Sequence, residues 1–421
     1  MTVLDKLGVG FVGSGFATRF HILGWVGVRN AEITAIYNIR ERSARELASL
    51  AEQLGVGKPK VYTDLHAMLS DKSVNAVWIA NPNFVRLEVV KAITEEAKQG
   101  RTELVGVCCE KPLARNVDEA EEMVRMVEDS GLLHGYLENQ VFMPSMVKGR
   151  DILWRYGAKY TGRPYLARAA EEHGGPHSAW FWIPRLSGGG VMLDMMCHSL
   201  EAARFILSDL DKPKTALKPK TVYAEIASLK WAWEPYRTML KNRFKGEVDY
   251  SKEPAEDYAM AVVTYEDEDG NLAVSETRTS WSFTGPGLRL SFEVLGPEYY
   301  MSINTLQPEL FTFFSRNVKI PPSEEFVEKQ AAEQGLMPTI PNEAFTYGYM
   351  DEDRYMVECF LKGEKPREDW RDGLLIVQLM MACYMSAEKG RKIQFNPETL
   401  KGFKPVVARG QWKPKSLVET P

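Results

Sequence analysis

Three short stretches carry residue types suited to proton and charge chemistry. Asp194 and His198 lie four positions apart in SGGGVMLDMMCHSLEAARF, a spacing that sets both side chains on one face of a helix. A neutral imidazole takes up a proton near pH 7. A carboxylate one turn away can orient the ring or share the proton. Lys111, in CEKPLA, brings a fixed positive charge that stabilises an oxyanion as it forms. The third stretch, GFVGSGFA, is a glycine-dense turn. Gly13 permits a sharp bend, and Gly15 has no Cβ, so an anionic pyrophosphate can approach the backbone of Ser14, Phe16 and Ala17 at the positive end of a helix dipole. Taken alone, each has a plainer reading: a buried helix histidine near a carboxylate, a solvated lysine before proline, a structural turn. Their context decides between the two.

These groups need elements to hold them. Leu7 to Val12 reads as a strand and Phe16 opens a helix. Glu32 to Tyr37 reads as a second strand ending at Asn38, and Arg42 to Leu54 has helical spacing. Val61-Tyr62 reads as a short strand. Ala76 to Ala80 reads as a buried strand ending in Asn81, Pro82 and Asn83. Glu103 to Cys109 reads as another, ending in Glu110, Lys111 and Pro112, and Leu133 to Leu137 as the last, ahead of Asn139. Helical patterns fall between them, at Leu65 to Leu69, at Phe84 to Lys98, and after the cap Asn116 with Glu119 at the capping-box position. Such alternation implies a parallel sheet with helices on both faces, whose ligands gather at the carboxyl ends of the strands. Asn38, Asn81, Pro82, Asn83, Glu110, Lys111 and Asn139 all sit at strand ends, so one crevice can collect them.

The second half changes character. Pro164 to Glu171 reads as a strand, followed by the loop HGGPHSAWFW, the triple glycine 188–190 and a helix from about Met192 to Leu207. Four strands then follow without helices between them, at 222–229, 258–265, 272–281 and 288–295, with a hairpin turn at Glu268-Asp269-Gly270-Asn271. That is an antiparallel sheet in a separate α+β domain. Residues 231–256 look like an aromatic, charged insertion, a candidate lid, and 321–341 look polar and irregular. Two late helices, about Asp351 to Leu361 and Arg371 to Glu388, complete the pattern. The division expected is 1–142 for the dinucleotide-binding domain and 143–421 for a substrate and oligomerisation domain, with the late helices able to pack back on the first.

GFVGSGFA, CEKPLA, GRPYLARA and SGGGVMLDMMCHSLEAARF occur in one chain, with SAEKGRKI near its end. On these motifs the chain resembles the glucose-fructose oxidoreductase / inositol dehydrogenase / MocA (Gfo/Idh/MocA) family. The resemblance implies an N-terminal Rossmann domain and a C-terminal open, mostly antiparallel sheet. It implies NAD(P)-dependent oxidation or reduction of a sugar or cyclitol carbinol, and homo-oligomers, dimers or tetramers, formed through that sheet. It also implies catalytic roles for Lys111, Asp194 and His198. Hydride transfer from a carbinol requires loss of its hydroxyl proton, the task for which His198 is suited. With the E-K-P and triple-glycine motifs present, catalysis outweighs the plainer readings.

Departures from the family pattern are informative. The third small residue of the glycine motif falls at Thr18, which is bulkier than the pattern prefers. The residue expected at the adenosine ribose is often Asp; here it is Asn38, with Arg40 and Arg42 after it. A neutral residue does not repel a 2′-phosphate, so NAD is expected with NADP also admitted. A histidine that often follows the P-N pair is replaced by Arg86, to which the sequence assigns no role, and Glu201 stands where Asp is common. Glu171, Glu172, His173 and His177 lack any known zinc spacing, so no metal is expected. His177, Trp180 and Trp182 are candidates for the substrate pocket, with core packing the alternative for the aromatics.

A net charge of −5 over 421 residues gives no reason to expect nucleic acid or an anionic membrane surface. The five cysteines, an odd count without a C-x-x-C pair, fit reduced thiols and a cytoplasmic location. No signal peptide and no membrane span is read. The leading expectation is a dehydrogenase of a sugar, glycoside or cyclitol. An NAD-dependent glycosidase working through transient oxidation and elimination, and a non-catalytic dinucleotide-binding sensor, are the alternatives. Retention of Lys111, Asp194 and His198 argues against the sensor.

Overall fold

The computed structural model describes residues 5–314, 327–330 and 335–414. The chain forms two compact units, residues 1–144 with 344–377 and residues 145–343 with 378–421.

In the first unit, alternation of strand and helix is realised as a six-stranded parallel sheet. The strands are β1 (Leu7–Val12), β2 (Ala31–Tyr37), β3 (Gly57–Tyr62), β4 (Ala76–Ile79), β5 (Gly106–Glu110) and β6 (Leu133–Leu137), in the order β3-β2-β1-β4-β5-β6. Helices α1 (Phe16–Gly24), α2 (Glu41–Gln53), α3 (Leu65–Leu69), α4 (Arg86–Lys98) and α5 (Val117–Ser130) make the crossovers. Strands β1, β4 and β5 are buried along their whole length, as near-continuous apolar runs require in a sheet covered on both faces. The order reverses between β1 and β4, the switch point outside which such sheets bind ligands. Strand β3 is longer than its two expected residues. Its sequence GKPKVY hides it, because proline and lysine are suited to the edge position it occupies. Asn116 caps α5 through the Glu119 N–H at 3.0 Å, while the Glu119 carboxylate turns to Arg115.

The helix Tyr349–Lys362 belongs to this unit, although more than 200 residues separate it from β6. Glycines on the first unit let it approach. A Cβ on Gly24 would stand 3.0 Å from the Met350 backbone nitrogen, and one on Gly106 2.8 Å from the Phe360 ring. Trp370 donates its backbone N–H to His134 Nδ1 at 3.1 Å and its indole N–H to the Gly135 carbonyl at 3.0 Å.

The second unit is built on a seven-stranded sheet, order β12-β11-β7-β10-β9-β8-β15. Its strands are β7 (Leu166–Glu172), β8 (Lys218–Ala227), β9 (Tyr258–Glu266), β10 (Leu272–Ser280), β11 (Arg289–Gly296), β12 (Tyr299–Asn304) and β15 (Ile393–Gln394). All neighbours are antiparallel except β7 and β10. The helix Val191–Leu207 packs on β7, β9 and β10. The other face is polar, with Arg168 of β7 bonded to Glu276 of β10 at 2.7 Å. A separate two-stranded ribbon pairs β13 (Leu310–Phe314) with β14 (Gly335–Thr339). Residues 321–326 and 331–334 of the segment read as polar and irregular lie outside the described residues, but 335–339 is strand. The insertion 231–256 is not a loose lid in this fold. Trp231, Leu240, Val248, Tyr250 and Ala255 are buried, and Asp257 accepts the backbone N–H groups of Leu229 at 2.7 Å and Trp231 at 3.0 Å.

Candidate active site

The glycine turn of the first unit has the backbone a dinucleotide needs. Gly13 adopts φ +108°, and a Cβ there would meet the Ala80 carbonyl oxygen at 2.8 Å. At Gly15 nothing of the chain lies within 4 Å of where a Cβ would stand, so the backbone before α1 is open to a phosphate. Thr18 fits despite its size because its hydroxyl is buried and donates to the Gly13 carbonyl at 3.0 Å. Asn38 reaches the turn, donating its amide N–H to Ser14 Oγ and accepting the Arg40 backbone N–H at 2.9 Å. The exposed Arg42 pairs with Glu46 at 3.0 Å, whereas Arg40 has no side-chain partner among the described residues. Phe16 is 44% exposed beside Gly15. Asn81, Pro82 and Asn83 follow β4 as expected. Asn139 turns inward, its amide N–H donating to the Tyr347 carbonyl at 2.7 Å.

Glu110 differs from its expected place at the cofactor. Its carboxylate points into the fold, accepting the Lys111 N–H at 3.0 Å and facing His21 Nε2 at 3.0 Å. Arg86, given no role by the sequence, is 4% exposed. Its guanidinium donates to the carbonyls of Glu110 and Pro112, and its Nε to the Asn81 carbonyl at 3.1 Å. The backbone on both sides of Lys111 is therefore fixed by buried charge, while the Lys111 side chain remains partly exposed.

In the second unit, Asp194 and His198 lie on the helix Val191–Leu207, Asp194 in its first turn. A buried carboxyl group holds the start of this helix. Glu256 Oε1 accepts the N–H groups of Gly190 at 2.8 Å and Met192 at 3.2 Å, together with the Tyr384 hydroxyl. Glu256 Oε2 is buried with no partner among the described residues. Burial pushes this carboxyl up to about 7 against the pull of its donors. The triple glycine makes room for these groups. A Cβ on Gly189 would stand 2.0 Å from the Tyr384 hydroxyl, and one on Gly190 2.4 Å from the Glu256 carbonyl oxygen. Asp194 Oδ2 accepts the Trp281 indole N–H at 3.2 Å. His198 is 3% exposed, and its Nε2 lies 3.9 Å from Glu171 Oε2. A second carboxylate, Glu171 of β7, thus stands beside the imidazole, a neighbour the helix spacing alone did not reveal. Glu201 is buried with Arg204, whose Nε donates to it at 2.7 Å, and with Lys214 at 3.3 Å.

Residues 7–136 match the family described as an oxidoreductase family with an NAD-binding Rossmann fold, and residues 157–300 match the Gfo/Idh/MocA C-terminal domain. The chain belongs to the Gfo/Idh/MocA family of oxidoreductases. Among curated relatives, 1,5-anhydro-D-fructose reductase of Ensifer adhaerens is 28% identical over 205 residues, 48% of this chain and 56% of that enzyme. The match thus spans little more than half the relative's length. D-apiose dehydrogenase of Paraburkholderia graminis is 22% identical over 93% of this chain and 91% of its own. Among solved structures, GenD2 from gentamicin A biosynthesis, in complex with NAD, superposes with a TM-score of 0.73 at 24% identity, covering 94% of this chain and 98% of that one. This last likeness is one of fold.

Within this family member the aromatic candidates separate. Trp182 is 1% exposed, donates its indole N–H to the Pro176 carbonyl at 3.1 Å, and packs on Trp281 at 4.7 Å and Trp231 at 5.0 Å between ring centroids. It is core, not a sugar platform, and its link to the site runs through Trp281 to Asp194. Trp180 is half-buried and stacks on Phe181 at 3.7 Å. His177 is exposed at 3.4 Å from Arg243, a residue of the insertion. Partial burial and the charges of Lys329 and Arg243 press its pKa down to about 4. His173 accepts the Gly175 N–H at 2.9 Å, and Glu172 pairs with Arg289 and Arg278, so these two are occupied structurally. Glu256, Tyr384, Arg86 and His21 went unrecognised in the sequence. Only Arg86 carried a local signal, as a departure from the family pattern.

Proposed function

We propose that this protein is an NAD(P)-dependent dehydrogenase of a sugar, glycoside or cyclitol carbinol. The observation that carries the reading is the Asp194–His198 pair on a helix whose N-terminus is locked by Glu256. This pair occurs in a chain whose other unit has an open glycine turn for a dinucleotide. Gly13, Ser14, Gly15, Phe16 and Ala17 hold the pyrophosphate, and Asn38 and Arg40 meet the adenosine ribose. The dinucleotide supplies the hydride acceptor or donor. His198 removes the hydroxyl proton of the carbinol. The carboxylates of Asp194 and Glu171 stabilise the charged imidazole or bind a neighbouring hydroxyl, and Lys111 stabilises the alkoxide. Trp180 and His177 are the pocket residues retained from the sequence.

The protein acts as a homo-oligomer, dimer or tetramer, through the polar face of the seven-stranded sheet around Arg168. Its five free, buried cysteines suit a reducing cytoplasm. No helix among the described residues is long and apolar enough to cross a membrane. The test is a panel of sugars, glycosides and cyclitols with NAD and with NADP, followed at the absorbance of the reduced nicotinamide. Net accumulation of reduced cofactor is expected with a free carbinol substrate. Glycoside cleavage without accumulation would replace this reading with transient oxidation and elimination.

A further inference from the structure

The Lys111 backbone is held from two sides by side chains that are themselves almost wholly buried. On one side Arg86 donates to the carbonyls of Asn81, Glu110 and Pro112, and reaches that of Lys111 at 3.4 Å. No carboxylate among the described residues forms a direct ion pair with it, so its charge is answered by carbonyl dipoles and, at longer range, by the Glu110 carboxylate. On the other side the Lys111 N–H donates to Glu110, which faces His21 Nε2 at 3.0 Å. His21 Nδ1 lies 2.9 Å from Asp353, which also accepts the Trp78 indole N–H at 2.9 Å. His21 and Asp353 are fully buried and Glu110 is 4% exposed. Burial lowers the His21 pKa, but Asp353 and Glu110 overcome it and raise it well above 6.5. Each nitrogen of the ring thus faces a carboxylate.

A buried ion chain of this kind is a weak source of net stability, since desolvating each charge costs several kcal/mol. It does fix geometry. Lysine is a point charge on a flexible four-carbon stem, so its placement depends on where that stem begins. The planar guanidinium of Arg86 serves several carbonyls at once, which an imidazole at this position cannot do. We infer that Arg86 and the Asp353–His21–Glu110 chain are positioning groups for Lys111: they fix the direction in which its side chain leaves the end of β5, and so where its charge stands in the reaction. The inference rests on the role proposed above for Lys111.

The test compares Arg86→Ala and His21→Gln with the parent, and each combined with Lys111→Ala. The first readout needs no substrate: the rate at which trinitrobenzenesulfonate modifies Lys111, followed by peptide mass analysis. Both variants should change that rate severalfold and leave the other lysines at parental rates. With the carbinol found in the panel, kcat should fall roughly 10- to 10²-fold with KM little changed, the scale of a misplaced catalytic group. In the Lys111→Ala background the same changes should cost less than about twofold, because the group they place is gone. Millimolar guanidinium should restore Arg86→Ala, and methylammonium should not. If Arg86→Ala does not fold, Arg86→Lys keeps the charge but reaches fewer carbonyls and should show the same pattern. Parental labelling and kcat, or losses that multiply in full with that of Lys111→Ala, would overturn the inference. If no carbinol is turned over, the dehydrogenase reading fails, and the labelling alone decides this one.

Discussion

At the scale of single residues, Asn38 is the residue proposed to set the choice of dinucleotide. Its amide is spent on Ser14 and the Arg40 backbone, and the Arg40 side chain beside it is exposed. Asn38→Asp would place a carboxylate where a 2′-phosphate must stand, so the ratio of NADP to NAD affinity should fall. Titration of each nucleotide by protein fluorescence checks this, and unchanged NADP binding would mean that residue 38 does not face the ribose. His198 is the residue for which loss of chemistry should separate from loss of binding. His198→Ala should slow carbinol oxidation by roughly 10²- to 10⁴-fold, the range for a missing general base, with dinucleotide affinity kept. The parental rate should rise with pH through one ionisation that the variant lacks. A variant with full activity would remove His198 from the proton transfer.

At the scale of elements, the helix Val191–Leu207 owes its place to a carboxyl group outside it. One oxygen of Glu256 accepts three donors and the other none among the described residues, so burial prevails and pushes the carboxyl up to about 7. The folded state thus holds the proton more tightly than the unfolded chain. The stability this confers is fully present below the unfolded pKa and is lost as pH rises through about 7. Between pH 5 and 8 the parent should lose at most about 3 kcal/mol of unfolding free energy from this group, and Glu256→Gln should remove that slope. Urea unfolding at several pH values measures it; identical slopes in the two proteins would show that Glu256 does not titrate at the cap. Gly190→Ala should be worse tolerated than Glu256→Gln, because its Cβ would stand 2.4 Å from a backbone oxygen. Activity and stability should fall together, since the helix start must move.

At the scale of the whole molecule, what could be read in the sequence was what is written locally. The glycine turn, the strand ends and the Asp194–His198 spacing each lie within a few residues, and the resemblance to the family rested on the same short motifs. The groups that hold those motifs in place are far away in sequence: Glu256 is 66 residues from Gly190 and 128 from Tyr384, and Asp353 is 332 from His21. No periodicity joins them. Trp182 was misplaced for a related reason, because an aromatic run looks the same whether it faces a sugar or another tryptophan. The His21–Asp353 pair also makes a claim about cooperativity. It ties the helix Tyr349–Lys362 to α1 and β5, so that late segment should share the stability of the first unit and not fray as an appendage. Asp353→Ala leaves a buried imidazole with one of its two carboxylates, a loss worth about 3–5 kcal/mol for a broken buried pair. Amides of β5, β6 and the helix Tyr349–Lys362 should then lose protection from hydrogen exchange together, by roughly 10²-fold or more. Amides of β9 and β10, in the other unit, should stay at parental rates. If only the helix amides accelerated while β5 and β6 kept their protection, the helix would be an attachment to a sheet that is stable without it.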